Sequence, residues 1–254
     1  MRKTTGWILA AGVIVAISGL ARADDKADAI AIVDKAIKAQ GGADKLSKNK
    51  AVSTKQKGKF YGLGDGIDYT LESSVQAPDK IRNEIQGEAM GNKFSFIQVI
   101  QGDKGWNSAN GTTEELSEEQ LKEGKENMYA NWVAQLHPLT GKDFTLAPLG
   151  DVKVGDKESV GVKVSSKGHR DVSLFFDKKT GMLLKRETIV KDLMGGAGDL
   201  TEEVLFLDYK EKDGVQYASK ITINRDGKKY IESEITEYKP TEKLDDKVFE
   251  KPKD

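Results

Sequence analysis

Val172-Ser173-Leu174-Phe175-Phe176-Asp177-Lys178-Lys179-Thr180-Gly181-Met182 is the stretch on which the fold turns. Val172, Leu174 and Phe176 recur at the two-residue period that puts side chains on one face of a strand. Asp177-Lys178-Lys179-Thr180-Gly181 then supplies the turn residues of a hairpin, and residues 182–190 read as the returning strand. Working outward, Val160, Val162 and Val164 share a face just upstream. Downstream, Lys212-Asp213-Gly214 joins residues 204–209 to 217–223, and Asp226-Gly227 joins that strand to 230–238. The second half is therefore an antiparallel meander. Tyr69, Leu71 and Val75 repeat the pattern in the first half. The residues between these apolar positions are mostly Lys, Glu, Ser, Asp and Gly, as in strands buried on one side only.

Two segments break the two-residue period. Ile30, Val33 and Ile37, with Ala29 and Ala36 beside them, predict a helix that Gly41-Gly42 terminates, and residues 43–48 a short second one. Residues 116–136 open on Ser117-Glu118-Glu119-Gln120, a capping box in which the serine accepts from the Gln120 amide and the glutamine reaches back. Leu121, Met128, Trp132 and Leu136 follow near one helical face, widened by Tyr129 and Val133, and His137-Pro138 ends the run. Such a stripe either packs on the sheet as ordinary core or covers a cavity as a lid. No Pro/Ser-rich linker divides the chain, so residues 24–254 read as one domain.

At the N-terminus Arg2 and Lys3 precede an apolar run over residues 6–20, and Ala21-Arg22-Ala23 closes it with small residues at both recognition positions. This is the pattern of a secretory signal peptide, cleaved after Ala23. The run falls short of the roughly 20 apolar residues that cross a bilayer. Cleavage would remove Arg2, Lys3 and Arg22 and no acidic residue, moving the formal charge from −1 to −4. Bulk charge therefore gives no attraction for nucleic acid. With no cysteine there is no disulfide, thiolate chemistry or lipidated mature N-terminus. The expected setting is the periplasm, as a soluble monomer without a cofactor.

Motifs for chemistry are weak. His137 and His169 have no metal-ligand spacing, and no HExxH or EF-hand pattern accompanies them. His169-Arg170-Asp171 lacks the downstream residues that the same letters need in a kinase. Gly62-Leu63-Gly64-Asp65-Gly66 lies between strands with no helix after it, which suits a wide hairpin turn better than a phosphate loop. There is no GxSxG elbow or cysteine nucleophile. The expectation is a protein that is not an enzyme.

Three stretches in order resemble the outer-membrane lipoprotein-sorting carriers, the LolA/LolB-like family. Gln76-Ala77-Pro78-Asp79-Lys80-Ile81-Arg82 is similar to that family's strand entered through a proline. Val99-Ile100-Gln101-Gly102-Asp103-Lys104-Gly105-Trp106 resembles its hairpin leading to a tryptophan, and Leu244-Asp245-Asp246-Lys247-Val248-Phe249-Glu250-Lys251-Pro252 its closing segment. The resemblance implies an α+β, mainly β fold: a half-closed antiparallel β-barrel, or curved sheet, with an N-terminal helix and an inserted lid helix. It implies an apolar interior that shelters acyl chains, with lipidated protein or free lipid as partner and membrane-bound donor or acceptor proteins at either end of transit. Where those carriers place an arginine before the proline, this sequence has Ala77.

On that reading the cavity and lid are Phe94, Phe96, Trp106, Met128, Trp132, Leu136, Leu174 and Phe176, with Arg82 as a polar contact. An apolar space open beneath the inserted helix would mark a carrier. A filled core there would favour an envelope scaffold or sensor that binds through its surface, and a concave site of pKa-perturbed groups would mark an enzyme.

Overall fold

The structure is a computed structural model that describes residues 23–193 and 198–253. The signal-peptide reading falls on residues outside this range. Thirteen antiparallel strands form one open sheet in the order β6-β5-β4-β3-β2-β1-β13-β12-β11-β10-β9-β8-β7. The first meander comprises β1 (Ala51–Phe60), β2 (Ile67–Gln76), β3 (Lys80–Ala89), β4 (Asn92–Gln101), β5 (Lys104–Ala109) and β6 (Thr112–Glu115). The second comprises β7 (Thr145–Val154), β8 (Lys157–Ser165), β9 (Val172–Asp177), β10 (Leu183–Lys191), β11 (Asp199–Lys212), β12 (Val215–Arg225) and β13 (Lys228–Thr241).

The pairing of β1 with β13 sews the two meanders together and leaves β6 and β7 as the two edges. The chain must therefore travel from one edge to the other between Glu115 and Thr145, and it does so through α3 (Glu118–Val133) and a short 3-10 turn, His137–Thr140. That crossing puts α3 on one face of the curved sheet, the inner face. The helix starts as read: Ser117 accepts from the Gln120 amide, and the Gln120 side chain accepts from the Ser117 amide at 2.9 Å. It ends before His137-Pro138, and Leu136 turns the chain at φ 64°.

At the other end of the fold α1 (Ala23–Ala39) packs on β7 and β8, followed by α2 (Ala43–Leu46). Ala29, Val33, Ala36 and Ile37 of α1 join Tyr129, Ala130 and Val133 of α3 and the inner faces of β8, β9 and β10 in one core. Ile30, read from its spacing as part of the buried stripe, is instead 40% exposed. The stripe runs i, i+4, i+7, i+8 from Ala29, which turns Ile30 toward water. A smaller core joins Ile100 of β4 to Leu116, Leu121 and Met128. Phe249, in the closing segment, is fully buried in a 3-10 turn packed against β3 and β4.

Candidate ligand-binding face

Strand register determines what faces the helices. Ile100 lies under α3, so its cross-strand neighbour Ile81 and the alternate residues of each strand belong to the inner face. Three cross-strand rows follow toward the β1–β2 turn. The first is uncharged and polar: Asn107, Gln98, Asn83, Ser73 and Thr54. Ser73 Oγ donates to Asn83 Oδ1 at 2.7 Å and Gln98 Nε2 to Asn107 Oδ1 at 3.3 Å, so the row forms a hydrogen-bonded belt.

Beyond the belt the inner face turns apolar. Phe96, Ile85 and Leu71 stand side by side, and Phe94 and Tyr69 occupy the next row with Gly87 and Gly58 between and beside them. The glycines are needed because the rings lie over them. A Cβ at Gly87 would come within 2.6 Å of the Phe94 ring, and one at Gly58 within 2.8 Å of the Tyr69 ring. Ile67, Phe60, Ile231 and Ile223 complete the surface. All of these side chains are half-buried, and none belongs to either core cluster.

The bordering strands carry charge into this face. Arg186 is 1% exposed, and it donates from Nη1 to Asn131 Oδ1 of α3 at 2.5 Å and from Nη2 to Glu202 Oε1 at 2.9 Å. The other Glu202 oxygen accepts from Arg225 Nε and Nη2 at 3.1 and 3.0 Å. Burial pulls the Arg186 guanidinium below its ordinary range against the pull of Glu202, but an arginine stays charged. These three charges sit at inner-face positions of otherwise apolar alternations, Glu202-Val204-Phe206 and Ile221-Ile223-Arg225. A charged residue in apolar register was the sequence signal for them.

A second charged set fastens α3. Glu123 grips both Arg170 terminal nitrogens at 2.7 Å and accepts the Lys191 amide at 2.9 Å. Glu126 accepts the Arg170 amide at 2.9 Å and meets His169 Nδ1 at 2.9 Å, while the His169 ring stacks on Tyr129 at 3.9 Å. Burial pushes the Glu123 carboxyl up, yet its bonds from Arg170 and the Lys191 amide prevail and hold it below the usual carboxylate range. Burial pushes the Tyr129 hydroxyl up to about 12. The His169-Arg170 pair is thus part of a helix clamp.

The residues read from the sequence as cavity and lid part into three groups. Phe94 and Phe96 lie on the uncovered apolar face. Leu136 and Leu174 are fully buried and Met128 is 6% exposed, so they fill cores, while Phe176, 1% exposed, belongs to the main core and also borders the groove between α1 and β7–β9. Trp132 is half-buried against the main core, 5.7 Å from Phe144. Arg82 and Trp106 face outward, because alternation from Ile81 and Gly105 requires it; Arg82 pairs with Glu84 at 2.5 Å. Gly105 takes the inner position under Leu116, where a Cβ would come within 2.5 Å of that leucine.

Among the described residues, the gaps bordering α3 are small. The gap among Glu123, Tyr129, Arg170 and Val190 has no room for a water, and one at the helix's end, beside His137 and Tyr209, measures about 150 Å³. A groove of about 530 Å³ runs between α1 and β7–β9, with Ile32, Val160 and Phe176 in its walls. A concavity of about 1130 Å³ spans β1–β4, β12 and β13. Its lining takes in two outward rows, Ser95-Gln86-Thr70-Lys57-Glu234-Lys220 and Lys93-Glu88-Asp68-Lys59-Glu232-Thr222, and between them the row Phe94-Gly87-Tyr69-Gly58-Ser233-Ile221. The outward rows carry paired charges, such as Lys59 with Asp68 at 2.8 Å. Among the described residues no group of three or more His, Asp or Glu side chains could hold a metal ion. No helix there is long and apolar enough to cross a membrane.

Three solved structures superpose on this open, curved antiparallel sheet and its helices over most of the chain. A LolA superfamily protein from Nitrosomonas europaea superposes with a TM-score of 0.57 at 12% identity, over 88% of this chain and 97% of its own. The chain has a LolA-like fold. Beside that LolA-like relative stand a DUF1329 family protein from Desulfovibrio piger (TM-score 0.56, 12% identity, 87% and 97% covered) and a domain from Vibrio parahaemolyticus provisionally named for outer membrane lipoprotein sorting (0.51, 12%, 85% and 97%). The sequence matches no protein-family model and no curated protein, so the LolA-like likeness is one of fold.

Proposed function

We propose that this protein is a carrier or binder of acyl chains in the cell envelope, for lipidated protein or free lipid, and that the uncovered apolar rows of β1–β4, β12 and β13 form its binding surface. The observation that carries the reading is the set of half-buried Phe60, Ile67, Tyr69, Leu71, Ile85, Phe94, Phe96, Ile223 and Ile231 on one face, none of them a member of the core clusters among the described residues. Each CH₂ removed from water there is worth about 0.8 kcal/mol, so a chain of ordinary length binds measurably. The LolA-like fold supports the same reading, and the lipoprotein-sorting name of one similar structure is consistent with lipidated protein as cargo. Export by a signal peptide cleaved after Ala23 would deliver it to the periplasm.

A second reading, a surface-binding scaffold that does not transport, is favoured by two observations: the filled core under α3 and the paired charges in the outward rows of β1–β4, β12 and β13. Native mass spectrometry with lipid extraction, on protein purified from its own envelope, separates them. Stoichiometric lipid that is lost in Phe94→Asp and Phe96→Asp variants supports the carrier. A clean apo mass, where a known carrier retains ligand, supports the scaffold.

A further inference from the structure

One unbroken line of contacts runs from the helix to the apolar rows: Asn131 on α3, then Arg186, Glu202, Arg225, Tyr230 and Phe60. The Arg225 guanidinium lies 3.9 Å from the centre of the Tyr230 ring, and that ring meets Phe60 edge-on at 5.1 Å. The polar end of this line is unbalanced. Two guanidiniums share the single carboxylate of Glu202, whose side chain is 3% exposed. Arg186 is also short of a partner, since its Nε is buried with no acceptor. A buried cation and an unmet donor each cost free energy that a bound anion would return. Of the two arginines, Arg225 is the one open to solvent, at 21% side-chain exposure against 2% for Arg186. It also sits two residues along β12 from Ile223, the end of the apolar row Ile67-Phe60-Ile231-Ile223. Four strands at ordinary spacing make that row roughly 14 Å long.

We propose that Arg225, backed by Arg186, is a headgroup site, and that the ligand of the inner face is an anionic amphiphile whose carboxylate or phosphate meets Arg225 while its chain lies along Ile223, Ile231, Phe60 and Ile67. The inference rests on the inner face being the binding surface, and adds the chemistry of the ligand's head. Tyr230 holds the guanidinium by its ring face and keeps it at the border between charge and apolar surface. Glu202 supplies enough negative charge to keep the site folded when empty and too little to neutralise it.

The test is displacement of the neutral fluorophore N-phenyl-1-naphthylamine from the delipidated full-length chain by three ligands with one tail: dodecanoate, dodecyl phosphate and dodecanol. The expected result is displacement by one or both anions at concentrations roughly tenfold or more below that needed for dodecanol, as a charge-assisted hydrogen bond confers. The stronger of the two anions tells a fatty-acid carboxylate from a phospholipid phosphate. Arg225→Gln should abolish the preference of either anion over dodecanol, while Arg225→Lys keeps part of it. Equal displacement by all three ligands of the unmutated protein overturns the headgroup site and leaves the apolar face standing. Failure of the fluorophore and all three to bind overturns both.

Discussion

Glu123 on α3 holds Arg170, in the turn between β8 and β9, through both carboxylate oxygens at 2.7 Å. The two residues are 47 apart in sequence, and their pairing ties the helix that crosses the sheet to the strands on its far side. A parallel two-bond fork is the strongest form of this interaction. Its partial burial spares it the screening that makes surface pairs weak.

Replacing Glu123 with Gln removes the charge and one acceptor while Arg170 stays in place. The expected cost is about 1–3 kcal/mol of unfolding free energy, read from a urea titration. Amide exchange should rise in α3 before it rises in β8 or β9. A variant as stable as the parent, with α3 equally protected, would mean that the fork does not hold the helix.

The same pair makes the helix acid-sensitive. Glu123 titrates below its ordinary 4.5 in the folded protein, so its contribution is complete above the unfolded-state value. It is lost as pH falls through the lower, folded one. The protection factor of α3, with the intrinsic exchange rate divided out, should therefore be flat at neutral pH and fall below about 4.5, and the fall should be smaller in Glu123→Gln. An identical acid profile in the two proteins would assign the effect to other carboxylates.

Glu202 is expected to matter more. Its loss leaves the buried Arg186 without its carboxylate beside the partly exposed Arg225, and removing one partner of a buried pair typically costs about 3–5 kcal/mol. Glu202→Gln should lower the thermal midpoint by well over the change seen for a surface pair such as Lys59–Asp68. Comparable melting of Glu202→Gln and Asp68→Asn would show that water reaches the buried cluster.

Core and binding face should separate in mutation. Leu174→Ala empties a fully buried site and should cost about 2–5 kcal/mol. Phe94→Ser removes a half-buried ring over Gly87 and should cost clearly less, while weakening the binding of a neutral fluorescent hydrophobe several-fold. If Phe94→Ser destabilises as much as Leu174→Ala without changing probe binding, Phe94 is core.

The strands, their faces and the hairpins were legible because a two-residue alternation and tight turns are local patterns. Val172, Leu174 and Phe176 do share the inner face, and Asp177 to Gly181 do reverse the chain. The capping box of α3 was equally local. Residue roles were less so. Leu136, Leu174 and Phe176 have the same apolar character as Phe94 and Phe96, and a sequence pattern cannot say which of two inner-face groups a helix will cover. Trp106 and Arg82 face outward because Gly105 and Ile81 take the inner positions; alternation alone points Arg82 that way, whereas a tryptophan next to a glycine carries no local sign of which of the two faces the core.

The sequence by itself determined a mainly antiparallel sheet, a helix inserted between two runs of strands, and the lack of thiol chemistry, since these follow from period, turn residues and composition. The tertiary structure decided that β1 pairs with β13, that α3 must cross the inner face to link the two edges, and that it rests on a filled core beside an uncovered apolar one. It also decided that Arg186, Glu202 and Arg225 meet. Those features depend on contacts between residues far apart in the chain, and such contacts are selected by how buried area and paired charge add up over the whole sheet, a sum no local stretch contains.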